Sequence, residues 1–221
     1  EAATKVGHHR GKMLGEALAM QALFEMAEYD KARDHNTQYL NVIRQLGAPR
    51  FESQALLYKG KLDLTDGRND EAITALNAAL EINKKVGHGF TGPRIMAALA
   101  CCFDDHKAQR DALDEGARML KEGSVSHNHF FFYPDAIEVS LDTGDWDGAE
   151  GYATALEDFA RPEPLPWSDF FIARGRALAA CGRGKLDNGL MEELQRLNDL
   201  AGEVGLKKAA PAIEAALATR F

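Results

Sequence analysis

Apolar side chains recur at helical spacing along nearly the whole chain of 221 residues. Two clear examples lie at residues 14–26 and 72–82, where apolar positions follow one another three or four residues apart. That spacing places them on one face of an α-helix. The alternation typical of half-buried strands is almost absent. The pattern therefore predicts an all-α fold.

Helix-ending signals divide this pattern into about eleven helices of ordinary length. Glycine and proline mark most of the divisions, because glycine ends helices in a left-handed conformation and proline cannot continue them. The divisions lie at residues 47–49, 66–67, 87–93, 123–126, 143–144, 161–166, 182–184 and at Gly205.

One short segment recurs between pairs of these helices. Residues 27–32, 67–72 and 144–149 share an aspartate two positions before an alanine, and two of the three copies begin with glycine. Glycine suits the turn, aspartate suits the amino end of the second helix, and alanine lets the helices approach closely. Weaker copies lie at 104–108 and 182–184. The sequence thus predicts stacked helix hairpins.

The second hairpin resembles the tetratricopeptide repeat. Residues 53–86 match it best, through Gly60, Gly67, the run 70–73 and the run 79–83. Ile137 stands where that family prefers a small residue, so packing there must differ. The resemblance implies one domain over 1–221, a right-handed superhelix of about five hairpins with a capping helix. Their approximate bounds are 10–47, 51–87, 92–122, 126–161 and 167–204, with the cap at 207–221.

The C-terminal half resembles the C-terminal helical-repeat region of bacterial multidomain proteins of the adenylate/guanylate cyclase type. The resemblance covers about residues 126–185, through the runs 127–138, 144–147 and 162–176. In such proteins a class III cyclase domain and an ATPase module precede the repeats. The resemblance implies a sensory or assembly role in a signalling protein. It carries over no cyclase catalytic residue.

The charge of the chain limits the classes of partner that are expected, and its cysteine content indicates the redox setting. The chain has 26 Lys and Arg against 34 Asp and Glu, a net charge of −8, and no block of basic residues. Nucleic acid and anionic membranes are bound through clustered cations, so neither is expected. The expected partner is a protein or peptide, or another domain of a longer parent chain from which this one is cut. Three irregularly spaced cysteines indicate a reducing, cytoplasmic setting.

Local motifs for catalysis, metals or cofactors are weak. Residues 87–92 fit the GxGxxG pattern but follow a helix, whereas a dinucleotide site needs a preceding strand. Residues 182–185 lack the serine or threonine of a phosphate-binding loop, and the acidic run 142–148 lacks the ligand order of a calcium loop. No catalytic residue, cofactor or metal is therefore predicted.

Two aromatic segments leave alternatives open. His127 and His129 precede four consecutive aromatic residues at 130–133, which either fill the core from a helix capped by Ser126 or wall a ligand pocket. Trp167 follows a proline-rich entry into a helix, with Ser168 or Asp169 as capping candidates. It is either a packing anchor or a binding residue.

Repeat arrays of this type bind through the concave surface made by their first helices. Counting from the repeated alanines, the residues predicted to face that groove are Gln21, Phe24, Gln54, Leu57, Lys61, Phe131, Glu138, Asp169, Ile172 and Arg176. The leading hypothesis is a non-catalytic protein-interaction module with an open groove. The alternative is a ligand-sensing module with a pocket near Phe130–Tyr133 and Trp167 that regulates an attached enzyme. A free-standing enzyme would need an acid–base constellation that the sequence does not indicate.

Overall fold

The computed structural model describes residues 7–219 of the chain. These residues form eleven α-helices and two short 3-10 helices, and no strand occurs among them, which confirms the all-α class. The α-helices are α1 His9–Glu25, α2 Tyr29–Leu46, α3 Pro49–Thr65, α4 Asn69–Val86, α5 Gly92–Ala100, α6 His106–Lys121, α7 His127–Asp142, α8 Trp146–Ala160, α9 Pro166–Gly182, α10 Asn188–Val204 and α11 Ala210–Ala218. Residues 1–6 of the predicted domain and residues 220–221 of the predicted cap lie outside the described residues.

Consecutive helices pair as five hairpins, α1 with α2 through α9 with α10, and α11 packs on α10 and α9. The first helices of neighbouring hairpins also touch, since α3 contacts α5, α5 contacts α7 and α7 contacts α9. The fold therefore has an inner layer of first helices and an outer layer of second helices. None of the helices within residues 7–219 combines the length and the apolar character needed to cross a membrane.

The repeated corner segments behave as turns, with one correction. Gly67 and Gly144 both have a φ of +71°, the left-handed conformation that glycine tolerates. The shared aspartate does not cap the second helix. Asp70 and its counterparts lie within the first turn, where they favour the positive end of the helix dipole, and the residue two positions earlier is the N-cap. Asp145, at that earlier position, accepts a hydrogen bond from Gly148 N at 3.0 Å.

The three residues predicted to cap the helices of the aromatic segments form no capping hydrogen bond through their side chains. Ser126 stands at the N-cap of α7 but forms no capping hydrogen bond through its side chain. Helix α9 begins at Pro166 after the N-cap Leu165, so Ser168 and Asp169 lie inside its first turn. Proline suits that first helical position because it has no amide hydrogen to satisfy.

The two ends of the array meet. Helix α1 contacts the 3-10 helix Lys207–Ala209, and the Cγ of Met26 lies 3.7 Å from the place where a Cβ on Gly205 would stand. Gly205 ends α10 in the left-handed conformation, with a φ of +81°. The first hairpin is thereby brought against the last one, and a pocket forms where they join.

Candidate ligand pocket at the junction of the chain ends

The inner face of the first two hairpins is filled by packing. Phe24, Leu57 and Lys61 are at most 8% exposed. Gln54 is buried too and accepts a hydrogen bond from the hydroxyl of Tyr39 at 2.9 Å. The structure therefore places these four predicted groove residues in the interior instead of along an open concave surface.

Two ion pairs connect the first helices of different hairpins. Lys61 on α3 donates to Asp135 on α7, with 2.5 Å between Nζ and Oδ2, and both side chains are about nine-tenths buried. Arg174 on α9 pairs with Glu138 on α7, with Nη2 3.3 Å from Oε2, and its Nε donates to the carbonyl of Ala209 at 2.9 Å. Buried charges need such partners, because their desolvation is otherwise uncompensated.

Arg94 on α5 is a third interior cation and lies between aromatic rings. Its guanidinium carbon is 4.2 Å from the ring centre of Phe131, and its Nη2 donates to the hydroxyl of Tyr58 at 3.0 Å. Burial raises the pKa of Tyr58 to about 12, although the Arg94 charge opposes the shift. Within residues 7–219 no carboxylate pairs with Arg94, so ring faces and one hydroxyl stabilise its charge.

Glu25 and Lys208 line the same small cavity at the junction of the chain ends. Burial lowers the pKa of Lys208, but the carboxylates of Glu25, Asp135 and Glu138 raise it by more, so the net shift is upward and the ammonium stays charged. Neither Glu25 nor Lys208 forms an ion pair within 4.0 Å with another described residue. Both line a small cavity of about 10 Å³, enough for one water molecule.

A larger pocket adjoins that small cavity and shares three of its lining residues, Glu25, Phe131 and Trp167. We call it the junction pocket. Its volume is about 460 Å³, and its lining comes from α1, α7, α9, α10 and the residues just after α1 and α10. The lining residues are Gln21, Ala22, Glu25, Met26, Phe131, Pro166, Trp167, Phe170, Leu200, Val204, Gly205 and Leu206.

Three predicted site residues meet in the junction pocket, namely Gln21, Phe131 and Trp167. Trp167 is held in place, because its indole nitrogen donates to the carbonyl of Phe130 at 3.1 Å and its ring lies 4.7 Å from that of Phe171. The tryptophan thus packs against the protein on one side and lines the pocket on the other.

The two histidines lie away from the junction pocket. His129 stacks on Phe159, with ring centres 3.8 Å apart and an interplanar angle of 2°. His127 meets Phe90 edge to face. Burial lowers the pKa of both histidines. In the described part of the chain, no three His, Cys, Asp or Glu side chains are grouped so as to hold a metal ion.

Asp169, Ile172 and Arg176 face a different surface. They line a groove of about 800 Å³ between α8, α9 and α10, together with Glu157 and Glu193. Arg176 forms ion pairs with Glu150 at 2.9 Å and with Glu157 at 2.8 Å. These predicted residues therefore do not share a site with Phe131 and Trp167.

The sequence analysis missed Glu25, Arg94 and Lys208. Glu25 stands one helical turn after Gln21, so it lies on the same face of α1 as that predicted groove residue. This spacing could have identified it from the sequence. Arg94 and Lys208 follow a loop and a turn, respectively, where no repeat register is defined. Their positions depend on how the hairpins stack.

No family model, curated protein or solved structure matches this chain. The resemblances to tetratricopeptide repeats and to cyclase-type proteins stay predictions from the sequence.

Proposed function

We propose that this chain is a non-catalytic, ligand-sensing helical-repeat module, and that its ligand is a small molecule with an apolar body. The observation that carries the proposal is the junction pocket. Its volume of about 460 Å³ lies in the range of small-molecule sites, and its walls are mostly apolar with a few polar groups. This favours the ligand-sensing alternative over a groove along the concave face.

The position of the pocket supports a sensing role. A ligand there touches α1 of the first hairpin and α9 and α10 of the last one at the same time. Its binding energy therefore favours the arrangement in which the two ends are joined. The resemblance of the C-terminal half to cyclase-type proteins supports a further element of the proposal, an attached signalling enzyme that responds to this closure.

The test is to fill the pocket. Ala22 is an exposed lining residue, so Ala22→Phe places a ring inside the pocket with little change elsewhere. The probe is the neutral fluorophore N-phenyl-1-naphthylamine, whose emission increases in apolar sites. We expect the native chain to bind it in a saturable manner and Ala22→Phe to weaken binding at least about tenfold, or by about 1.4 kcal/mol.

Ala78→Phe is the matched control, since Ala78 is an exposed helical alanine that lines only a shallow groove on α4. It should leave probe binding unchanged. If the native chain does not bind the probe, or if both variants reduce binding equally, the proposal is wrong.

The protein-interaction hypothesis retains one surface, the 800 Å³ groove that holds Asp169 and Arg176. Its charged rim and apolar floor suit a peptide better than a compact ligand. Peptides selected on the folded chain from a random displayed library would test it. Binding that is lost in Ala173→Trp, a lining position of this groove, and kept in Ala22→Phe would support it. The reverse pattern would exclude this groove.

A further inference from the structure

We infer that the junction pocket binds a zwitterion, a free α-amino acid with an aromatic or branched apolar side chain. This inference rests on the proposed function and names its ligand class. Two features carry it. The pocket contains a carboxylate and adjoins an ammonium group, neither of which forms an ion pair with another described residue, and apart from Gln21 the rest of its wall is apolar.

The carboxylate is that of Glu25. It is the only charged side chain among the residues that line the junction pocket. No hydrogen bond or ion pair satisfies it within residues 7–219, although the side chain is partly buried. An ammonium group of a ligand would donate to this carboxylate, with the aromatic faces of Phe131 and Trp167 beside it.

The ammonium group is that of Lys208, which lines the small cavity together with Glu25. Its Nζ lies 5.6 Å from the ring centre of Phe24, and the side chain lacks an ion pair with any described residue. The cavity between Lys208 and Glu25 holds one water-sized group, which is also the size of one carboxylate oxygen. A ligand carboxylate at this point would reach Lys208 while its own ammonium stays near Glu25.

Charge balance selects the zwitterion over a simple amine or acid. The other charges that face this cavity are already paired, Lys61 with Asp135 and Glu138 with Arg174. Glu25 and Lys208 balance each other's charge across the cavity, so a ligand with a single charge would add a net charge to a partly buried site. A ligand with both charges satisfies both, and its apolar side chain fills the junction pocket.

Calorimetric titration of the whole chain tests this with three probes that share one ring. They are L-phenylalanine, phenethylamine, which lacks the carboxylate, and 3-phenylpropionate, which lacks the ammonium. L-Leucine tests the branched class. We expect L-phenylalanine or L-leucine to bind at least about tenfold more tightly than either singly charged analogue, since each analogue lacks one of the two charge-assisted hydrogen bonds.

Two variants separate the two contacts. Glu25→Gln should weaken L-phenylalanine and phenethylamine about tenfold and leave 3-phenylpropionate unchanged. Lys208→Met should weaken L-phenylalanine and 3-phenylpropionate and leave phenethylamine unchanged. Glu28→Gln is the control, because Glu28 pairs with Lys31 outside the pocket and its loss removes one negative charge nearby.

The outcomes distinguish the two proposals. If the neutral fluorophore binds and Ala22→Phe blocks it, but both amino acids bind no better than the singly charged analogues, the zwitterion inference is overturned and the apolar pocket stands. If the fluorophore does not bind, both proposals are overturned. The comparison of analogues on the native chain decides the matter even if Lys208→Met fails to fold.

Discussion

Ile137 fits its position because Gly175 on the neighbouring first helix has no side chain. The Cγ2 of Ile137 lies 2.8 Å from the place where a Cβ on Gly175 would stand. Ile137 is the residue at which the sequence predicted packing different from that of the tetratricopeptide repeat. The packing difference expected from the sequence is therefore accommodated by a glycine on the next hairpin.

Gly175→Ala should destabilise the fold by about 1 to 2 kcal/mol, since overpacking outweighs the better helix propensity of alanine. Ile137→Ala removes Cγ2, so in that background Gly175→Ala should become neutral or stabilising by up to about 1 kcal/mol. Ile137→Val keeps Cγ2 and should not rescue. Urea unfolding of the single and double variants measures the coupling. Additive effects in both backgrounds would contradict this account.

Ala27 occupies the turn position that glycine holds in two other corners, and its φ is +57°. This left-handed conformation strains any residue with a Cβ. Ala27→Gly should therefore stabilise the protein by about 1 kcal/mol, measured by thermal or urea unfolding. The reverse change, Gly67→Ala, should destabilise by a similar amount, because a Cβ there meets no neighbour and only the backbone conformation matters. If both changes stabilise the protein, or both destabilise it, the explanation is wrong.

Loss of one partner of the Lys61–Asp135 pair should lower the stability of the fold. Asp135→Asn leaves the Lys61 ammonium buried without a countercharge and should cost about 3 kcal/mol of unfolding free energy. Replacing both residues, as Lys61→Met with Asp135→Leu, should cost less. The matched control is Asp111→Asn, whose pair with Lys107 has the same 2.5 Å distance but lies on the surface, so no measurable change is expected there. A similar loss of unfolding free energy in Asp135→Asn and Asp111→Asn would show that burial is not the cause.

His129 should make stability depend on pH. Burial lowers its pKa in the folded state below the ordinary value of 6.5. Below pH 6.5 the unfolded chain therefore binds a proton at His129 more readily than the folded chain does. The free energy of unfolding falls as the pH drops toward the folded pKa. His129→Phe keeps the ring on Phe159 and should reduce the slope of stability against pH between 7 and 5, by at most about 1.4 kcal/mol per pH unit. Urea unfolding at several pH values measures it, and identical slopes would contradict the assignment.

The fold was predictable because its signals are local. Turn glycines such as Gly67 and Gly144, the alanines beside them and the helical spacing of apolar residues all act within a few positions of the chain. They determine where hairpins begin and end. The candidate site was predictable only in part. Phe131 and Trp167 were identified from their aromatic character, and Gln21 from its register in the first repeat.

The sequence by itself determined the hairpins, since each arises from the spacing of its own apolar and turn residues. Only the tertiary structure decided that Glu25 and Lys208 line the same cavity. Their approach depends on the small rotation between each hairpin and the next, summed over the whole array. That sum brings α1 against the end of α10, fills the inner face near Leu57 and Lys61, and leaves the junction pocket between the two ends. No short segment of the chain contains this information, because the rotation is determined by packing between hairpins and not within them.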